Sequence, residues 1–414
     1  MSRTTQHLAS QTKKDRYQPS YETLQKYADV LVNFALNSGR GLQPKEVVEL
    51  IVPDVAKSLA LAMQNAVLRA GGHPLMRLLP TGFEHDYYNL ASQEQLTFFP
   101  ENYLHTKADL LDHHIQIVAE PFPEELKGVD PSKIIAARDA RKPYKDWLTD
   151  KENRNNFTWT IALWGDQAKA DVVGLSLEEY WQQIIQACFL DEDDPISRWK
   201  EVHQLQKEIK RKLNQMQIEK IHLESDDADL WLQIGANRRW CGGGGRNIPS
   251  FEIFTSPDWR GSQGWARFNQ PLFRYGNRIE EVELQLDKGL VVQGEAQVGS
   301  EILHAMLSSP NADKLGEFSL TDKRMSRITH PMAEILFDEN IGGRFGNTHI
   351  AIGSAYKECY AGERTEVNKE QWAELGFNDS SEHTDLISTV DRVVTAVMAD
   401  GSKKVIYKDG QFVI

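Results

Sequence analysis

Six acidic and imidazole side chains between positions 252 and 385 stand out because each is set in a partly apolar run. Glu252 lies in NIPSFEIFTSP (247–257), beside Phe251 and Ile253, and Glu317 lies in DKLGEFSLTD (313–322). Glu339 follows Phe337 and Asp338 in EILFDEN, His349 opens the strand-like HIAIG, and His383 and Asp385 form an H-x-D pair in SSEHTDLIS. In a strand, side chains two residues apart share a face, so His383 and Asp385 could bind one cation. Carboxylate and imidazole ligands together suit zinc, cobalt or manganese, and carboxylates shared between two ions would give a dinuclear centre. Each residue also has a plainer reading. His349 could be a hydrogen-bonded core histidine, and Glu252 and Glu317 could be paired with Arg246 or Arg260. There is no HExxH, so the helix-borne zinc-protease pattern is absent.

The elements that must position these groups divide the chain into two textures. In the first half, helical and strand-like patterns alternate. Residues 21–38 repeat apolar positions at helical spacing, Val47–Val52 reads as a strand ended by Pro53, and Asp54 is placed to cap a helix running to Gly71. His73–Leu79 follows as a strand, then strand-like Ile115–Ala119, helix-like Ser132–Asp150, strand-like Phe157–Trp164 and helix-like Leu177–Leu190. Strand, helix and strand within about thirty residues implies a parallel sheet. Pro195 suits the first turn of a helix whose apolar stripe is Trp199, Val202, Leu205, Ile209, Leu213 and Met216. From Ile221 onward strands, glycine turns and aromatic residues dominate. The expected division is therefore an α/β domain over 1–228, with a mainly parallel sheet flanked by helices, and a mixed α+β catalytic domain over 229–414. Gly242–Gly245 lacks the Lys-Ser/Thr ending of a phosphate loop and reads as backbone at positive φ or in close approach.

Composition removes several classes of function. Forty-seven Lys and Arg against 60 Asp and Glu among 414 residues leave a net charge of −13. Nucleic-acid binding needs a basic surface that releases counterions, which this balance does not supply. No run approaches the roughly 18–20 apolar residues of a membrane helix. The polar N-terminus lacks a secretory core, so a cytoplasmic protein is expected. Three widely spaced cysteines, Cys188, Cys241 and Cys359, form no CxxC pair.

Taken in order, the segments resemble the thermophilic-type metallo-aminopeptidase family. NIPSFEIFTSP matches that family's Asn-x-Pro segment with its following Glu-x-Phe-Thr-Ser-Pro, and Leu315–Glu317 matches a later Leu-Gly-Glu. LFDEN (336–340) and HIAIG (349–353) match the next two pieces, and NDSSEHTD (378–385) matches a C-terminal Asn-x-Ser leading to His-x-Asp. His-Thr-Asp-Leu-Ile stands where the more usual sequence is His-Val-Asp-Phe-Met, which keeps the ligands and changes their packing. The nine residues between Glu339 and His349 exceed the spacing of the shortest members.

The resemblance implies an exopeptidase that removes the N-terminal amino acid from peptides by a metal-activated water at a dinuclear site. It implies two divalent ions (zinc, cobalt or manganese) held by Glu252, Glu317, Glu339, His349, His383 and Asp385. Tyr356, seven residues after His349, matches the family's active-site tyrosine and would donate a hydrogen bond to the tetrahedral oxyanion. Glu317 would shuttle the proton to the leaving amine. The partners implied are peptides with a free N-terminus and a second copy of the chain in a homodimer, with no nucleic acid and no membrane. The alternative is a non-catalytic metal- or peptide-binding protein on the same scaffold.

Overall fold

Val47–Pro53 is almost wholly apolar because it becomes an inner strand of a parallel sheet, covered on both faces. The computed structural model describes residues 17–274 and 277–414. The sheet order is His73–Leu79, Val47–Pro53, His113–Val118, Thr158–Leu163 and Asn247–Ile248, with every neighbouring pair parallel. Lys57–Arg69 makes the crossover between the first two strands in sequence and buries Leu59, Met63 and Val67.

Local departures from the sequence reading have identifiable causes. Ser20 caps the helix Tyr21–Val30, which widens into a π turn over Leu31–Ala35 and breaks where Asn37 and Ser38 take positive φ. Asp54 does not cap a helix. Its carboxylate accepts from the Thr81 amide and hydroxyl, and a 3-10 turn leads to the helix start at Lys57. The span 132–150 forms two helices, Pro131–Ala140 and Lys142–Asn153, because Pro143 has no amide hydrogen to continue the first one.

The second unit is antiparallel. Its larger sheet has eight strands, from Leu290–Glu295 at one edge through Asp258–Phe268, Ala228–Gln233 and Ile218–Ser225 to Val393–Met398 and the C-terminal strands. A four-stranded sheet orders His383–Ser388, Asn347–Gly353, Leu315–Thr321 and Glu252–Thr255. Parallel α/β architecture thus gives way to a mixed α+β unit, as the two textures predict.

The compact units divide differently from 228/229. One holds the described residues up to Lys200 together with Gly244–Ile248, and the other holds Glu201–Gly243 and Pro249–Ile414. Two pairings explain the shift. Ile218–Ser225 pairs with both Ala228–Gln233 and Val393–Met398, which draws it into the second unit. Asn247–Ile248 pairs with Thr158–Leu163, which returns that short piece to the first.

The glycine run behaves as its composition suggests. All four residues have positive φ, from 64° at Gly243 to 119° at Gly244. A Cβ on Gly242 would collide with the Glu252 carbonyl oxygen, so only glycine lets this strand of backbone run against the strand carrying Glu252. Gly242→Ala is expected to lower folding stability by about 1–3 kcal/mol or more, from backbone strain plus displacement of that strand. A thermal melt matching the parent protein would contradict this account of the contact.

Candidate metal centre

The four-stranded sheet is buried on both faces, yet its sequence alternates apolar with polar. Phe318, Leu320, Ile350, Ile352 and Leu386 fill one face, as the hydrophobic effect requires. Glu317, Ser319, His349, Asp385 and Glu252 occupy the other. Residues directly opposite in antiparallel strands share a face. The register sets Ala351 opposite both Glu317 and Asp385, His349 opposite Ser319, and Glu252 opposite Thr321. The small side chain of Ala351 leaves room between the two carboxylates beside it.

The groups converge closely. His349 Nε2 lies 3.6 Å from Glu252 Oε2, 3.7 Å from Glu317 Oε1 and 3.9 Å from Asp385 Oδ1. His383 Nε2 lies 3.4 Å from Glu317 Oε2 and 3.6 Å from Asp385 Oδ1. Two trios offer one ligand atom per residue within 4.8 Å: Glu252 with Glu317 and His349, and Glu317 with His383 and Asp385. Glu317 is common to both. The alternative arginine pairings do not occur, since Arg246 pairs with Glu152 and Arg260 with Asp258. The ion-pair partners of Glu252, Glu317 and Asp385 among the described residues are the two histidines.

Glu339 follows the short helix Ile335–Asp338 and stands outside both trios. Burial raises its carboxyl well above the usual range, reinforced by repulsion from Glu252, Asp385 and Glu317. Tyr356 packs its ring edge against His383, with centroids 4.8 Å apart, and against Phe254. It keeps 44% of its surface exposed. Desolvation, with the negative charge of Glu317 and Asp385, pushes the phenol well up. The phenol is therefore a protonated donor at neutral pH.

The remaining titration directions describe a pocket with surplus negative charge. Burial and the neighbouring Glu317 raise Glu252 to about 8. Burial alone would lower both histidines, but Glu317 and Asp385 prevail and raise them. Asp385 is held below its ordinary value because His383 and His349 outweigh its burial. Proton uptake by Glu252 and the raised imidazoles thus offsets the carboxylate charge. A hard or borderline divalent cation suits this mixture of carboxylate oxygens and imidazole nitrogens. His349 Nε2, buried and without a hydrogen-bond partner, faces the carboxylates as a ligand nitrogen would.

Supporting residues fix these orientations. His349 Nδ1 contacts Asn347 Oδ1 at 3.2 Å, and Asn347 Nδ2 donates to the Glu339 carbonyl at 2.8 Å. His383 Nδ1 donates to the Ser354 carbonyl at 2.8 Å, so both rings aim Nε2 at the carboxylates. Ser319 Oγ donates to Glu252 Oε2, and the Phe251 amide donates to Asn340 Oδ1 at 2.6 Å, tying the Glu252 and Glu339 segments together. Asn378 Nδ2 donates to the Gly353 carbonyl at 2.6 Å, opposite His383 in register. The sequence reading missed Ser319 and Asn347 as members of the site. The signal was present, because each lies two residues from a candidate ligand on the same strand face.

A model of the thermophilic metalloprotease family (M29) matches residues 20–412. Aminopeptidase AmpS of Bacillus subtilis is 26% identical over 94% of this chain and 98% of its own length. Aminopeptidase T of Thermus thermophilus is 29% identical over 70% of this chain and 74% of its own. A solved structure of wild-type AmpT from Thermus thermophilus superposes with a TM-score of 0.80 at 23% identity, covering 95% of this chain and 99% of that one, which shows a shared fold.

Metal-free protein is expected to lose stability as pH rises from about 4.5 to about 8, because folded Glu252 binds its proton more tightly than the unfolded chain does. Glu252→Gln should flatten that slope, and saturating divalent cation should abolish it in the parent. Denaturant melts across this range test the sign, and stability rising through the window in metal-free protein would refute it.

Proposed function

Because this chain belongs to the thermophilic metalloprotease family (M29), we propose that it removes N-terminal residues from peptides at a centre holding two divalent cations. The chain is a metal-dependent aminopeptidase, as its family and its curated relatives indicate. The observation that carries the dinuclear reading is the pair of ligand trios meeting at Glu317. On this reading Glu252, Glu317 and His349 hold one cation, Glu317, His383 and Asp385 hold the other, and Glu339 completes the set. Zinc, cobalt and manganese all suit these donors. The protein works as a cytoplasmic homodimer on short peptides with a free N-terminus.

Amide hydrolysis needs a nucleophile at neutral pH and compensation for oxyanion charge. When bound, divalent cations supply a water whose pKa falls from about 15.7 towards about 7, and positive charge for the scissile carbonyl. The chain's own groups do the rest. Tyr356, protonated and beside His383, donates a hydrogen bond to the oxyanion. Glu317 turns one carboxylate oxygen toward His349 and the other toward His383, so as the ligand common to both cations it would be committed to holding them rather than to shuttling the proton. The substrate's free α-amino group needs an anionic or metal-bound anchor, which would restrict cleavage to chain ends.

Hydrolysis of aminoacyl chromogenic substrates should vanish on chelation and return with zinc, cobalt or manganese. Chelator-resistant activity would refute the reading, and stoichiometric metal binding without turnover would favour a binding protein. Tyr356→Phe should lower kcat by about 10²–10³-fold while metal content stays at two ions per chain. An unchanged kcat would remove Tyr356 from the chemistry.

A further inference from the structure

The parallel-sheet unit carries a cavity of about 930 Å³ whose lining serves none of the chemistry above. It lies between the edge strand His73–Leu79 and the helices Glu101–Leu110 and Lys142–Asn153, with Glu49 at its floor. Its wall is apolar and open to solvent: Phe98 is 72% exposed, Tyr103 67% and Leu110 54%, and Leu75 and Met76 join them from the strand. Side chains of this size left wet in one place usually mark a binding surface.

The polar groups within the wall define what would fit. Glu49 is ion-paired with Lys107 Nζ at 2.6 Å, and His114 Nε2 lies 3.0 Å from its other oxygen. Arg77 and Arg141 line the same cavity, and neither has a carboxylate ion-pair partner among the described residues. The Tyr144 hydroxyl is buried there with no hydrogen-bond partner. Burial and Glu49 push that phenol up to about 12, so it is a proton donor across the physiological range. With Lys107 paired to Glu49, the two arginines leave the lining with an excess of positive charge in a protein of net charge −13.

We propose that this cavity binds a monocarboxylate with a large apolar or aromatic body, its carboxylate held by Arg77, Arg141 and the Tyr144 hydroxyl. The planar guanidinium fork suits carboxylate oxygens, and the unpartnered hydroxyl supplies a further donor. The aromatic wall takes up the apolar body. Two sources share this chemistry: the C-terminal end of an apolar peptide and a free fatty acid.

Calorimetric titration of the metal-loaded full-length protein distinguishes them, using N-acetyl-Phe-Phe, its C-terminal amide and decanoate as probes. N-acetylation removes the free amine that an aminopeptidase requires. Saturable binding of N-acetyl-Phe-Phe with at least about ten-fold weaker binding of the amide is expected for a peptide source. Saturable binding of decanoate alone identifies the fatty-acid source and equally supports the carboxylate site. Arg141→Gln and Tyr144→Phe should each weaken the bound carboxylate by about three- to ten-fold, with unchanged thermal melts. The proposal is overturned if neither carboxylate binds saturably, if both variants leave the affinity unchanged, or if the amide binds as tightly as its acid.

Discussion

Like charges buried together repel, and this constraint governs the antiparallel unit. Glu252, Glu317 and Asp385 share one sheet face with His349 and His383, sheltered from water. Desolvation penalises each ionised carboxylate, and proximity adds to the penalty. The chain could have answered with arginines, but those nearest in sequence are engaged elsewhere. The compensation left to the folded chain is proton uptake by Glu252 and Glu339, the raised basicity of the imidazoles and the charge of Arg274 near Asp385. Such a pocket is poised to exchange protons for cations.

Rigidity follows from where the groups sit. The trio residues lie on paired strands, so ladder hydrogen bonds and a packed apolar underside fix their Cα positions. Side-chain freedom is then removed by Asn347, Ser354 and Ser319. The motif residues around the ligands have structural duties of their own. Asp338 accepts from the amides of Met332 and Glu334 and holds the turn before Glu339, while Asn340 links that turn to Phe251. Acidic and amide residues in LFDEN are therefore unequal: one faces the charge cluster and its neighbours build the turn.

Much of this was legible in the sequence. The two textures predicted a parallel α/β unit followed by a mixed α+β one, and the apolar stripe from Trp199 to Leu213 is buried at Trp199, Val202, Ile209 and Leu213. The unit boundary was not legible, because Ile218–Ser225 belongs with partners far along the chain and Asn247–Ile248 returns to the first sheet. The ligand candidates were visible as polar residues inside apolar runs. Their grouping into trios was not, since it depends on the register among four strands whose order differs from their order in sequence. Asp54 shows the limit at short range, where a cap-forming residue beside a helix was drawn away by Thr81.

Glu317 has a thermodynamic consequence. On the proposed assignment, a carboxylate common to both trios gives part of its charge to each occupant, and two dications a few ångströms apart repel. Filling the first position then weakens the second, and linkage makes that penalty the same in whichever order they load. The centre would pass through a singly loaded form over some range of free-ion concentration, so supply of the scarcer ion could set how much of the protein is complete at any moment.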